Sequence, residues 1–141
     1  MSTENVTPAA GIEIGATLTR ELEVVTELTV GYAVAGMPFV FATPQMINHM
    51  EVVCAELIAD ALPPDWVSVG TRVEVEHLAA TPVGMRVATT ATVVEVDDRI
   101  VTFDVSASDG VDTIGRGRHC RGLVAMERFL AGMERKLAAT R

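Results

Sequence analysis

At 141 residues and 49% hydrophobic content, the chain fits one globular domain that buries roughly 68–70% of the surface its unfolded form exposes. Its net charge of −8 argues against nucleic acid as a partner, because phosphate-backbone binding needs a basic face. No run approaches about 18 apolar residues, and Met1 to Gly15 holds no basic region followed by an apolar one, so no membrane span, no membrane partner and no signal peptide are expected. A cytoplasmic setting is the expectation. Cys54 and Cys120 lack CxxC or Cys/His spacing, which predicts two reduced packing residues rather than a metal site or a disulfide scaffold.

The residues through Gly11 are small and polar, and they are expected to be poorly ordered at the start of a single domain covering 1–141. Ile12 to Val30 reads as extended, and Gly31 to Pro38 as turn-prone. Thr43 before Pro44 predicts an N-cap with proline at the first helical position, opening a helix whose apolar periodicity runs to Leu62 and which Pro63-Pro64 closes. The next stretch alternates: Val67, Val69, Thr71, Val73, Val75, His77 and Ala79 on one face, with Ser68, Gly70, Arg72, Glu74 and Glu76 on the other. A turn at Thr81 to Gly84 leads to a strand from Arg86 to Val96. Asp97-Asp98-Arg99 is a hairpin, and Val101, Phe103, Val105 and Ala107 alternate again. Ser108-Asp109-Gly110 turns into a last strand from Val111 to about Ala125. Met126, Leu130, Met133 and Leu137 then line one face of a short helix.

One long helix followed by four antiparallel strands is an α+β arrangement in which a curved sheet wraps a central helix, the outline of a hot-dog fold. Such a sheet leaves an edge exposed, and pairing with a second copy covers it, so a homodimer is expected.

One carboxylate in the long helix stands out. The stripe Ile47, Glu51, Cys54, Ile58 follows the spacing of a core-facing ridge, so Glu51 is predicted to point inward. An unpaired carboxylate in apolar surroundings is costly, and partners or a task are expected for it, with Thr43 and His77 the nearest candidates. Each alone has a plain structural account: a cap, a satisfied core histidine, a buried acceptor. Together a hydroxyl, a carboxylate and an imidazole are a working set for acyl transfer. Gly70-Thr71 is the best source of an oxyanion hole, since glycine lets a carbonyl approach the backbone; a bulge or bend is the competing account. Arg121 shares strand parity with His119 and supplies either a fixed positive charge near the site or a solvent-facing edge residue. Seven of the 11 basic residues lie from Arg116 onward, a local basic patch that suits either a small phosphorylated ligand or a solvated helix face.

Several of these residues fall in runs that resemble a known family. The runs are Phe41-Ala42-Thr43 with Glu51, Gly70-Thr71, His77 to Pro82 with Gly84, Ser106-Ala107 with Asp109 to Asp112, and Ile114 to Arg121. From about Phe39 to Lys136 the chain resembles the fluoroacetyl-CoA thioesterase family. The resemblance implies a dimeric hot-dog fold, with Thr43, Glu51 and His77 as the catalytic set and Gly70 and Arg121 lining the acyl pocket. It implies hydrolysis of a short or small-acyl CoA thioester, with coenzyme A present only as part of the substrate and no metal or redox cofactor. The family's aromatic lid residue corresponds here to Met37, in a connecting segment that looks shorter. A flexible methionine closes an apolar pocket but discriminates less sharply, which predicts similar chemistry on a different acyl group. Glu51 would attack the carbonyl or position the attacking water, and the residues do not choose between the two. The alternative reading is a non-catalytic acyl-CoA or small apolar ligand binder using the same cavity.

Overall fold

The computed structural model describes residues 6–141. Five strands form one antiparallel sheet in the order β1-β3-β4-β5-β2, where β1 is Thr17–Glu23, β2 Trp66–His77, β3 Arg86–Asp97, β4 Ile100–Ser108 and β5 Thr113–Ala125. Among the described residues three α-helices accompany it: α1, Val30–Ala33, a single turn; α2, Thr43–Ala59; and α3, Met126–Ala138. This is the hot-dog arrangement expected from the sequence.

The core follows from alternation on the sheet and a 3.6-residue period on α2. Val87, Ala91 and Val93 of β3 and Val101, Phe103, Val105 and Ala107 of β4 turn one face inward. Against them α2 buries Met46, Met50, Val53, Cys54 and Ile58, each such side chain contributing roughly 1.5–3 kcal/mol. Met46 lies so close to β5 that a Cβ on Gly115 would sit 2.5 Å from its Sδ, so the glycine sets how near the helix approaches the sheet. The buried face of α2 is rotated from the predicted stripe. Ile47 and Glu51 lie at its margin, and the Glu51 side chain is 36% exposed.

The stretch read as extended from Ile12 to Val30 is a strand only at Thr17–Glu23, followed by a 3-10 turn at Thr26–Leu28, and α1 falls where a turn was expected; both ends of α2 differ from the sequence reading as well. The first turn of α2 is capped at Ala42, whose carbonyl accepts from the Met46 amide at 3.0 Å, so Thr43 is the first helical residue and its hydroxyl is free for another partner. The helix stops at Ala59, before the Pro63-Pro64 pair. At the other end of the chain, residues 6–12 are not loose. Ala9 and Ile12 are buried in the core, and the expectation for residues 1–5 lies outside the described residues.

The strand that carries the site departs most from its predicted pattern. Gly70 pairs with Arg121 and Arg72 with Cys120, so Thr71 is an extra residue and β2 is bulged there. Beyond the bulge the predicted face is kept, with Val75 against the core and His77 facing α2. Before it the parity is reversed: Trp66, Ser68 and Gly70 turn inward, and Val67 and Val69 turn the other way.

The hairpins hold by local chemistry. Asp98 takes the left-handed conformation (φ 52°) between β3 and β4. Between β4 and β5, Asp109 Oδ1 accepts from the amides of Val111 and Asp112, while its Oδ2 accepts from the buried Thr81 hydroxyl at 2.9 Å. The predicted face of α3 forms as a helix face but stays uncovered, with Met126, Phe129, Leu130, Met133 and Leu137 all exposed.

Candidate active site

The structure brings five of the predicted site residues together as two groups along α2. At the helix start, Thr43 Oγ1 lies 2.7 Å from His77 Nδ1. The other ring nitrogen, His77 Nε2, is buried with no partner among the described residues. A buried ring nitrogen without a partner is uncommon, and here it adjoins an open groove of about 460 Å³ lined by Val30, Phe41, Pro44 and Leu78 beside the pair itself. If Nδ1–H donates to the Thr43 hydroxyl, Nε2 carries the lone pair of a general base. If the hydroxyl donates, Nδ1 can take its proton.

Two turns further along α2, about 12 Å by helix rise, stands Glu51. Its carboxylate rests on the backbone of Gly70, where a Cβ would lie 2.5 Å from Glu51 Oε1, 3.2 Å from His119 Cε1 and 3.7 Å from Arg121 Nη1. Only glycine leaves room for these three groups to converge. Arg121 is buried and held on three sides: Nε–H donates to Ser68 Oγ at 2.8 Å, Nη2–H to the Ser68 carbonyl at 2.9 Å, and Nη1–H to His119 Nε2 at 3.1 Å. His119 Nδ1–H donates to the Arg72 carbonyl at 2.8 Å, and its Nε2 is 3.8 Å from Glu51 Oε1. Glu51, Val52, Ala55, Ser68, Gly70 and Arg121 line a cleft of about 340 Å³.

The electrostatics follow from this geometry. Burial pushes the His119 imidazole below the usual histidine range; the Arg72 carbonyl opposes that, Arg121 adds to it and Glu51 opposes it. Burial also lowers Arg121 from its ordinary value, against the attraction of Cys54 and Glu51. The Cys54 thiol beneath them is pushed up to about 12, chiefly by burial.

Thr43 therefore meets His77 as expected, but within one chain neither touches Glu51, whose neighbours are Gly70, His119 and Arg121. Thr71, the bulge residue, donates its hydroxyl to the Cys120 carbonyl at 3.2 Å and does not line the Glu51 cleft. Met37 sits in the exposed turn after α1 and lines neither cleft. Ser68 and His119 were not among the predicted site residues. His119 shares parity with Arg121 and was within reach of that signal, whereas Ser68 was hidden by the bulge. A larger groove of about 700 Å³ crosses the outer face of the sheet, but charged and hydroxyl side chains such as Glu74, Glu76, Asp104, Arg116 and Arg118 line it, away from these residues.

An antiparallel sheet wrapped around one helix, with polar residues gathered where the helix meets the edge strand, defines a hot-dog protein of the thioesterase superfamily. A structure of a thioesterase superfamily member from Thermus thermophilus superposes with a TM-score of 0.86 at 28% identity, covering 92% of this chain and 96% of that one. The structure of a fluoroacetyl-CoA thioesterase superposes at 0.85 with 38% identity, covering 89% of this chain and 98% of that one. The fluoroacetyl-CoA thioesterase of Streptantibioticus cattleyicolor is 38% identical over 135 residues, 92% of this chain and 97% of its own. The family model described as fluoroacetyl-CoA-specific thioesterase matches residues 24–127. The chain belongs to the fluoroacetyl-CoA-specific thioesterase family.

Proposed function

We propose that the protein hydrolyses a short or small-acyl thioester of coenzyme A, using Thr43, Glu51 and His77 for the chemistry and Gly70 and Arg121 to hold the acyl group. The reading rests on one observation above the others: in a chain of this family, the Thr43–His77 pair is formed at 2.7 Å and leaves a buried Nε2 with no partner among the described residues, on a ring that lines the groove. That nitrogen is placed to exchange a proton with water or with the departing thiol. Glu51 acts on the thioester carbonyl, directly or through a water, and a backbone N–H beside Gly70 stabilises the oxyanion. Water supplies the new C–O bond, the C–S bond breaks, and the products are a carboxylate and free coenzyme A. The chemistry is assigned to protein side chains alone, with no metal or redox cofactor. Two free cysteines, one of them buried, fit the expected cytoplasmic setting.

A homodimer completes this reading. Strand β2 is 12 residues long, ends the sheet and presents an unpaired backbone edge with Val73 exposed. Antiparallel pairing of two β2 edges carries His77 of one copy toward Gly70 and Glu51 of the other, joining the two groups that a single chain keeps about two helical turns apart.

Thiol release from acetyl-, fluoroacetyl-, propionyl-, phenylacetyl- and longer acyl-CoAs tests the activity. Turnover that Glu51→Ala and His77→Ala abolish names the acyl class. Tight acyl-CoA binding without turnover by any variant would leave a binding protein instead. Mixing the two inactive variants and allowing subunits to exchange tests the shared site. A heterodimer regains one intact site if Glu51 and His77 act across the interface, and none if both act within one chain. Entry of labelled oxygen from water into Glu51 over many turnovers separates direct attack from water attack.

A further inference from the structure

An arginine used to hold an acyl group must be fixed, because a free guanidinium on four rotatable bonds loses rotamer entropy at each binding event. We infer that His119 is the positioning residue of this site: a neutral imidazole, locked in one tautomer, that aims the Arg121 guanidinium at the cleft beside Gly70 and Glu51. The inference rests on the proposed acyl-CoA hydrolysis for its substrate but not for its geometry.

The protonation state of His119 follows from the identity of its two partners. The Arg72 carbonyl can only accept, so the nitrogen 2.8 Å from it, Nδ1, carries the hydrogen. The Arg121 guanidinium can only donate, so the nitrogen 3.1 Å from it, Nε2, must offer its lone pair. Only the neutral Nδ1–H tautomer satisfies both. An imidazolium here would set two cations against each other, with the Glu51 carboxylate at 3.8 Å the acceptor it would turn to. Phe103 lies against the ring, with centroids 6.3 Å apart and planes at 24°, and the side chain is 1% exposed, so rotation is blocked as well.

The consequence for Arg121 is a division of its five N–H groups. Two go to Ser68 and one to His119, leaving one N–H on each terminal nitrogen. The terminal nitrogen that His119 holds, Nη1, is the one 3.7 Å from the Cβ direction of Gly70, in the cleft that Glu51 lines. Its remaining hydrogen is the donor that an acyl substituent would meet. Without His119 the fork keeps its Ser68 hinge but loses the contact that sets its rotation, while the nearby Glu51 carboxylate competes for it.

Two substitutions separate positioning from scaffolding. His119→Gln places an amide oxygen at the Nε2 position, preserving the acceptor for Arg121 and losing the donor to Arg72. His119→Asn does the reverse. If His119 positions Arg121, the Gln variant keeps kcat/KM and the ranking of acyl substrates near wild type. The Asn variant then loses about ten- to a hundred-fold in kcat/KM, mostly in the substrates whose acyl group carries an acceptor atom. Equal losses in both variants, or a loss confined to His119→Gln with a lowered melting temperature, would overturn the inference in favour of a strut for the β2 bulge. Nitrogen-15 NMR supplies a readout independent of turnover. The wild type should show His119 as the neutral Nδ1–H tautomer at pH 7, with an Arg121 Nη1–H signal protected from exchange in wild type and His119→Gln but not in His119→Asn. An Nε2–H tautomer or an imidazolium at that pH would refute positioning even in an active enzyme. The expected NMR pattern in a protein that turns over no acyl-CoA would refute the hydrolase reading and leave the positioning intact.

Discussion

The two ends of the site differ in how completely their polar groups are satisfied. Around Arg121, three directed hydrogen bonds hold the guanidinium and a fourth anchors His119. At the start of α2, one hydrogen bond joins Thr43 to His77 and the opposite ring nitrogen has none among the described residues. On the proposed function, the saturated end is preorganised to bind and the unsaturated end keeps a proton-handling atom for the reactant. A hydrolase needs both, and keeping them apart along one helix lets each be built without compromising the other.

The comparison breaks most severely at the unsaturated end. If His77 carries the proton as proposed, His77→Ala should reduce kcat by about 10²–10⁴-fold in steady-state kinetics with the fold retained on circular dichroism. At the saturated end, Gly70→Ala should cost on the order of a hundredfold in kcat/KM with only a small drop in melting temperature. The added Cβ would meet Glu51 Oε1 at 2.5 Å, the far end of a flexible side chain that can move away cheaply for the fold but not for the chemistry, and the fixed His119 ring at 3.2 Å, which must give slightly. A large loss of stability with normal turnover would show that the carboxylate has no duty there.

Acidification sharpens the contrast more gently. His119 and His49 both have folded pKa values depressed below 6.5, in each case chiefly by burial, and His49 is tied to Thr89 at 2.8 Å. The unfolded chain therefore binds protons more readily. Their contribution to stability is fully present above pH 6.5 and is lost as the pH falls below it toward the folded values. Thermal melts should fall by about 2–5 °C between pH 7.5 and 5.5, and less in His119→Gln. The smallest effect concerns Cys54, whose thiol burial has pushed up to about 12. Native protein treated with iodoacetamide at pH 7.5 should be alkylated at Cys120 roughly ten-fold or more faster than at Cys54, as read by mass spectrometry.

Much of this architecture was legible because burial writes a period into the chain. Val101, Phe103, Val105 and Ala107 face the core as their alternation predicts, and the helix from Thr43 carries its apolar stripe. Thr43 and His77 could be paired in advance because both ends of that argument lie in regular elements. Glu51 was displaced because a helix stripe gives a sector, not a bearing: Met46 and Met50 take the centre and the carboxylate falls to the rim. Ser68 escaped for a different reason. An insertion in a strand leaves no mark on composition or propensity, and the valines at 67 and 69 favour the other face.

That preference has a consequence for how the strand folds. Alternation alone would allow β2 a second register. An unbulged one would bury Val67 and Val69 and turn Ser68 and Gly70 outward; the bulged one gives up those two valines to bring Ser68 under Arg121 and Gly70 under Glu51. Local preference and tertiary packing disagree in this strand, and Thr71 is the residue that absorbs the conflict. Deleting Thr71 would let Ser68, Gly70, Val73, Val75 and His77 share one face by plain alternation. The face of this strand that bears Ser68, Gly70 and His77 can therefore be reached by two different backbones, and the natural chain uses the one that bends.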